Sequence, residues 1–245
     1  MDNMSIRDTV RQATQTLLRR ARSVPTLFRL IEHAFRHTTA VVQQLPERPA
    51  LACAPGCAFC CYHPVDITPP EAFAIATYLR TTRTSAGVEA TYARIAAHAD
   101  RISRLSYEEH ARARIPCALL VDGRCSVYAC RPFACRAWNS TSAARCEAIF
   151  THGNPVTMLP PLDMRLYEAV WDVARGVTDG LQQCRLDGKS YELHSILQRV
   201  LDTPEAAQRW VQGEEVFAGC TVGAFTTSHV PKRMRRNAHP DAEGC

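Results

Sequence analysis

Ile6, Val10, Ala13, Leu17 and Ala21 recur at the three-to-four-residue spacing of one helix face, with mostly polar positions between them. Ser5 precedes this run with Asp8 three residues on, which suits an N-cap. Pro25 interrupts the pattern and predicts a break before a second helix carrying Leu27, Ile31, Ala34 and Phe35, so residues 5–44 read as helical with one interruption. "QQLPERPALA" is a proline-marked linker. In "DITPPEAFAIATYLR", Thr68 caps a helix, Pro69 and Pro70 fit its first turn, and Glu71 reaches back to the cap. Phe73, Ile75, Ala76 and Leu79 form its buried side. A further helix over about 86–105 uses Val88, Tyr92, Ile95 and Ile102, and Ser106 with Glu109 opens a short one. "ALLVDGRCSVY" breaks the helical period and reads as a hairpin around Asp122-Gly123. Helices return with the stripe Leu162, Leu166, Val170, Val173, Val177, Leu181, then with Leu193, Ile196, Leu197, Val200, and "DTPEAAQRWV" starts a last one.

These periods predict a mainly α protein with an irregular centre and a short β-hairpin, flanked by N- and C-terminal helices; the cysteines gathered in that centre make it the expected metal-binding region. The expected division is an N-terminal helical segment over 1–45, a cysteine-cluster domain over 50–150, a C-terminal helical segment over 160–225, and a basic tail over 230–245, "PKRMRRNAHPDAEGC" by its composition, expected to be disordered. An apolar fraction of 46% suits a globular chain. No apolar run approaches the length of a bilayer span, so no membrane partner is expected. The first residues, "MDNMSIRDTVRQ", have no apolar signal core, which predicts a cytoplasmic protein. In a reducing compartment twelve cysteines point to metal before disulfides.

The cysteines fall into two groups. Cys53, Cys57, Cys60 and Cys61 stand within nine residues, and Cys117, Cys125, Cys130, Cys135 and Cys146 within thirty. A tetrahedral ion or an iron–sulfur core needs thiolates converging from different directions, and short turns such as Pro55-Gly56 supply them. Adjacent Cys60 and Cys61 suit a tight turn or two metals sharing one wall; a disulfide between them would be strained. The formal charge of +5 loses weight as a sign of nucleic acid, because eight thiolates on two divalent ions would add about −4. The central motifs also lack interleaved lysines and aromatics, so a nucleic-acid partner is not expected. Cys184, Cys220 and Cys245 stand outside both groups and read as small apolar residues or tail, while Cys130 reads either way.

The hairpin constrains the sulfurs. A two-residue Asp122-Gly123 loop places Cys117 and Cys125 on opposite faces of an extended pair; a three-residue loop with a bulge pairs Leu119 with Cys125 and puts both cysteines on one face. Joint ligation therefore predicts the three-residue form or a comparable distortion, and a regular two-residue turn would count against it.

"GCAFCCYHPVDITPPEA" and "PCALLVDGRCSVYACRPFACR" resemble the YkgJ-type cysteine-cluster proteins, a zinc- or iron-chelating family that includes flagellin lysine N-methylases. Its pattern is C-x2-C-x2-C-C followed by C…C-x2-Y-x2-R-P-x2-C-R, and the match covers roughly 50–150. This chain has three residues rather than two after Cys53. The resemblance implies Cys57, Cys60, Cys61, Cys117, Cys125 and Cys135 as metal ligands, together with Cys53; Cys146 would bring the set to eight. The cofactor it implies is an iron–sulfur cluster or zinc, and the partners a protein substrate or a redox protein.

Arg131 and Arg136 bracket Cys135 and are expected beside the cofactor, donating to sulfur and offsetting its negative charge, or alternatively clamping an anionic substrate. Tyr128 and Trp138 read as packing residues. His63 is a candidate mixed ligand or an outer cap of the site. His33 and His37, four apart, read as a helix surface. Asp66 and Glu71 read as local structure, and Asn139 and Ser140 as turn residues or hydrogen-bonding groups near the centre. No Walker loop, dinucleotide fingerprint or glycine-rich S-adenosylmethionine loop is visible, and no catalytic residue can be named. Three functions stay open: a redox-active or modification-supporting metal protein, a lysine-methylase-like or other metal-dependent enzyme, and a zinc-built structural or interaction module.

Overall fold

Two serines set the first two helices. In the computed structural model, which describes residues 4–223, Ser5 accepts the Asp8 N–H and opens α1 (Ile6–Arg20), and Ser23 accepts the Thr26 N–H and opens α2 (Val24–Gln44). Pro25 lies in the first turn of α2, where its missing N–H costs nothing, so the interruption falls just before it. The basic tail, with Cys245, lies outside the described residues.

A 3₁₀ turn over Phe59–Tyr62 leads to β1 (Asp66–Ile67) and then α3 (Pro69–Thr82), whose capping box uses Thr68 and Glu71 as expected. α4 (Ser85–Ile102) and α5 (Tyr107–Ala113) follow, the second capped by Ser106 and Glu109. Next come β2 (Leu120–Val121), β3 (Arg124–Cys125), a 3₁₀ turn over Tyr128–Cys130, α6 (Phe133–Ala137) and α7 (Ala143–His152). α8 (Met164–Gln183) begins after Asp163, which caps it, so Leu162 of the anticipated stripe sits outside the helix. β4 (Tyr191–Glu192), α9 (Leu193–Asp202) and α10 (Ala206–Val211) complete the described order. The architecture is mainly helical, with two small two-stranded sheets, β1–β4 and β2–β3.

Most of the buried apolar residues form one contiguous cluster from Val10 to Phe217, to which α1, α2, α3, α8 and α9 contribute. α1 lies closely on α8, and two glycines make that approach possible. A Cβ on Gly176 would sit 2.6 Å from the Arg7 carbonyl oxygen and 2.7 Å from Val10 Cβ; one on Gly180 would sit 2.5 Å from Thr14 Cγ2. Arg7 Nε also donates to Asp179 at 2.6 Å across the same seam. Gly176→Ala is expected to destabilise the fold by about 1–2 kcal/mol, overpacking outweighing the roughly 1 kcal/mol gain in helix propensity. Thermal melts of the two proteins check this, and a higher midpoint for the variant would contradict the close seam.

The hairpin departs from the expected form. β2 and β3 pair Leu120 with Cys125 and Val121 with Arg124, so the loop has two residues, and Asp122 and Gly123 both take positive φ (49° and 72°). The three-residue loop is therefore corrected. Cys117, however, is not in the strand. Its carbonyl accepts the Leu120 N–H at 2.9 Å, closing a turn that swings Cys117 away from the β2 axis. The alternation rule fails because Cys117 is not extended, and the distortion that joint ligation requires lies upstream of the hairpin.

Candidate metal centre

The two cysteine motifs meet through backbone. The Cys117 N–H donates to the Cys61 carbonyl at 2.8 Å, and the Ala52 N–H donates to the Ser140 carbonyl at 2.8 Å. Two links thus join segments far apart in sequence on either side of the centre. Within the first motif, the 3₁₀ turn at Phe59–Tyr62 has its Cys61 N–H bonded to the Ala58 carbonyl. Such a turn rotates successive side chains by about a third of a revolution. It therefore lets Cys60 and Cys61 approach each other, as a strand would not; their side chains are hydrogen-bonded.

Cys135 rides on α6. Burial pushes its thiol well up, and the thiols of Cys60, Cys117 and Cys125 push it further, while Arg131 opposes them. Cys125 is raised by burial and by Cys117 and Cys60. A second neighbourhood shares Cys60: Cys53 and Cys146 are each raised chiefly by burial, and both feel Cys57 and Cys60. Seven of the eight predicted cysteines are therefore brought together as two overlapping sets, with Cys60 in both, and Cys61 joins them through Cys60. Thiols that raise one another's pKa are crowded anions in waiting, and a bound cation relieves them by displacing their protons. None of the described cysteines is in a disulfide.

The remaining cysteines lie apart. Cys130 feels Cys125 and packs against the core, and burial raises it to about 11. Cys184 is buried at the end of α8, and the Cys220 sulfur lies 3.8 Å from the Ser195 carbonyl.

The arginines divide their roles. Arg136 donates from Nε to the Arg131 carbonyl at 2.8 Å and from Nη2 to the Ala129 carbonyl at 3.0 Å, and its guanidinium lies 4.4 Å from the Phe35 ring centroid. It fastens the loop between Cys130 and Cys135. Arg131 lies over Tyr128 at 4.4 Å and is the cation felt by Cys60, Cys125 and Cys135. Glu71 does more than cap. Its Oε2 accepts Thr68 N–H and Oγ–H at 2.8 and 2.7 Å, and its Oε1 accepts the Phe133 N–H at 2.8 Å. One buried carboxylate thereby ties the start of α3 to the start of α6, the helix that carries Cys135. Ser140 stands beside Cys53 through its carbonyl and beside Cys146 through its side chain. Asn139 instead holds the segment before α8, bonding to Ala137 and to both backbone groups of Asp163. His33 and His37 stack on the outer face of α2, away from the centre.

Beside the thiols lies a pocket of about 540 Å³ whose wall includes Cys60 and Cys135. Tyr107, Trp138, Tyr167 and Trp171 give it aromatic faces, and His63, Asp66 and Glu108 also line it. His63 packs 5.9 Å from Trp138, and burial lowers its pKa. Trp138 thus belongs to a cavity wall as well as to the packing expected of it. Tyr107, Tyr167 and Trp171 carried no signal in the sequence beyond helical patterning, because their convergence needs α5 and α8 to meet.

Residues 52–152 match the family model CxxCxxCC, described as "Putative zinc- or iron-chelating domain". This segment contains all eight cysteines of the centre. No curated protein and no solved structure matches the chain. Among the described residues, no helix is long and apolar enough to cross a membrane.

Proposed function

Starting from a chain whose central segment matches a CxxCxxCC domain, we propose that its eight clustered cysteines, Cys53, Cys57, Cys60, Cys61, Cys117, Cys125, Cys135 and Cys146, hold an iron–sulfur centre, four thiolates to a cluster, and that the chain acts on a molecule in the adjoining pocket. The observation that carries this reading is the shared wall: Cys60 and Cys135 belong to both the thiol centre and the 540 Å³ pocket. A closed structural zinc site has no use for such an opening.

When bound, such a cluster supplies one-electron chemistry, gaining an electron as a partner is oxidised and losing it as another is reduced. Arg131 offsets the negative charge of the thiolates, Arg136 and Glu71 hold the loop and helix that carry Cys135, and the aromatic wall excludes water from the space beside them. Protein purified without oxygen is expected to be brown, to contain iron and acid-labile sulfide, and to bleach on oxidation. A colourless preparation containing only zinc would overturn the cluster.

A second reading is favoured by the pocket's lining. Asp66 and Glu108 face a space bounded by four aromatic rings, a setting that suits an amine or alkylated ammonium group. A lysine side chain of a partner protein fits that chemistry, as a methylase-like enzyme requires. That reading demands uptake of S-adenosylmethionine by cofactor-loaded protein, and a flat calorimetric titration would remove it.

A further inference from the structure

Between α4, α5 and α9 the apolar packing is broken by four ionisable side chains. His98, His110, Glu192 and His194 are all buried, and none belongs to the cysteine motifs. The chain pays attention to one of them locally: Glu192 Oε2 accepts the His194 and Ser195 N–H groups, both at 2.8 Å, and caps α9. Its other oxygen, Oε1, lies 2.7 Å from His194 Nδ1. His194 Nε2 lies 3.2 Å from the Ala118 nitrogen, the ring is also hydrogen-bonded to the Cys117 side chain, and Nδ1 donates to Glu192. The His98 ring stacks on His194 with centroids 3.6 Å apart, and His110 stands edge-on to His98 at 5.6 Å.

His98 is the member that hydrogen bonding does not explain. Its ring bonds the Pro116 carbonyl, yet its Nε2 is buried with no hydrogen-bond partner. A buried, unpartnered imidazole nitrogen is costly, and a phenylalanine would fill the same space without that cost. A backbone carbonyl on one ring nitrogen with the other left open is also how ligating histidines are oriented. The ligand atoms of His98, Glu192 and His194 all lie within 4.8 Å of one another.

We propose that His98, Glu192 and His194 bind a divalent transition-metal ion, zinc or ferrous iron, in a second site that adjoins the cysteine centre, where the His194 ring is hydrogen-bonded to the Cys117 side chain. Two imidazoles and one carboxylate are a donor set suited to either ion. The ion enters in place of the Glu192–His194 hydrogen bond. The Nδ1 proton leaves to solvent, and Nδ1, Oε1 and His98 Nε2 each form one bond to the metal. The bond to the Pro116 carbonyl keeps the His98 ring turned toward the ion. Because all three side chains are buried, the site locks α4 to the start of α9, close to Cys117.

X-ray absorption on the full chain loaded with zinc alone tests this independently of any activity. The wild-type protein is expected to show nitrogen or oxygen scatterers at about 2.0–2.1 Å in addition to sulfur at about 2.3 Å. His98→Gln is expected to lose one equivalent of zinc and most of the lighter-atom scattering, while His63→Gln keeps both. A spectrum with sulfur alone in the wild type overturns the site. So does a lighter-atom shell that disappears in His63→Gln, which would place the nitrogen ligand at the cysteine centre. If His98→Gln does not fold, zinc-loaded Cys60→Ser decides: a lighter-atom shell that persists while the sulfur scattering falls supports the second site, and loss of both together places the nitrogen ligand at the cysteine centre and overturns it.

Discussion

Cys60→Ser is expected to empty the cysteine centre, lowering its iron and sulfide content at least tenfold while leaving the helical signal in place. Cys60 is singled out because both sets of thiols feel it: Cys135 and Cys125 on one side, Cys53 and Cys146 on the other. A serine hydroxyl is nearly the same size but is a hard, protonated donor that binds soft metal centres poorly. Packing is therefore little disturbed and ligation is lost. Cys130→Ser is the matched control, since Cys130 feels Cys125 but none of the other seven cysteines of the centre. Iron, sulfide and visible absorbance, measured side by side, check the pair. Wild-type cofactor content in Cys60→Ser would remove Cys60 as a ligand and with it the overlap of the two sets. Equal losses in both variants would point to general damage rather than ligation.

Glu71→Ala is expected to cost about 3–5 kcal/mol, because three donors lose their acceptor together and each orphaned buried group costs about 1–3 kcal/mol. For a chain of this size that is a fall of roughly 10 °C in the melting midpoint. Glu71→Gln keeps one carbonyl oxygen and is expected to lose only about 1–2 kcal/mol, chiefly the charge assistance. The alanine variant is also expected to bind less cofactor, since the Phe133 N–H bond anchors α6 and Cys135 with it. Calorimetric melts and iron analysis on the same samples test both effects. A midpoint within about 2 °C of wild type would mean that the carboxylate does no more than an ordinary exposed cap.

Glu71 also illustrates how far local reading reaches. Its reach back to Thr68 was legible, because a capping box is a four-residue pattern. Its bond to Phe133, 62 residues away, was not. The same division separates the hairpin from its cysteine. Asp122-Gly123 is the residue pair of a tight two-residue turn, which the structure adopts. The longer loop was anticipated only because Cys117 was assumed to be extended. Gly176 and Gly180 lie in an amphipathic helix pattern that does not announce that α1 presses on them. His98 and His194 stand 96 positions apart on different helices, and only the packing of those helices stacks their rings.

By itself the amino-acid order determined most of the longer helices, the caps at Ser5, Thr68 and Ser106 and the pair of cysteine motifs, since each depends on residues within a few turns of one another; the short helices α6 and α7 carried no such pattern. Tertiary structure decided which sulfurs share a neighbourhood, that a cavity opens beside Cys60 and Cys135, and that an unpaired imidazole meets a carboxylate in the core. Those outcomes depend on side chains from distant segments arriving at one place, and a linear pattern carries the donors without the angles and distances at which they meet.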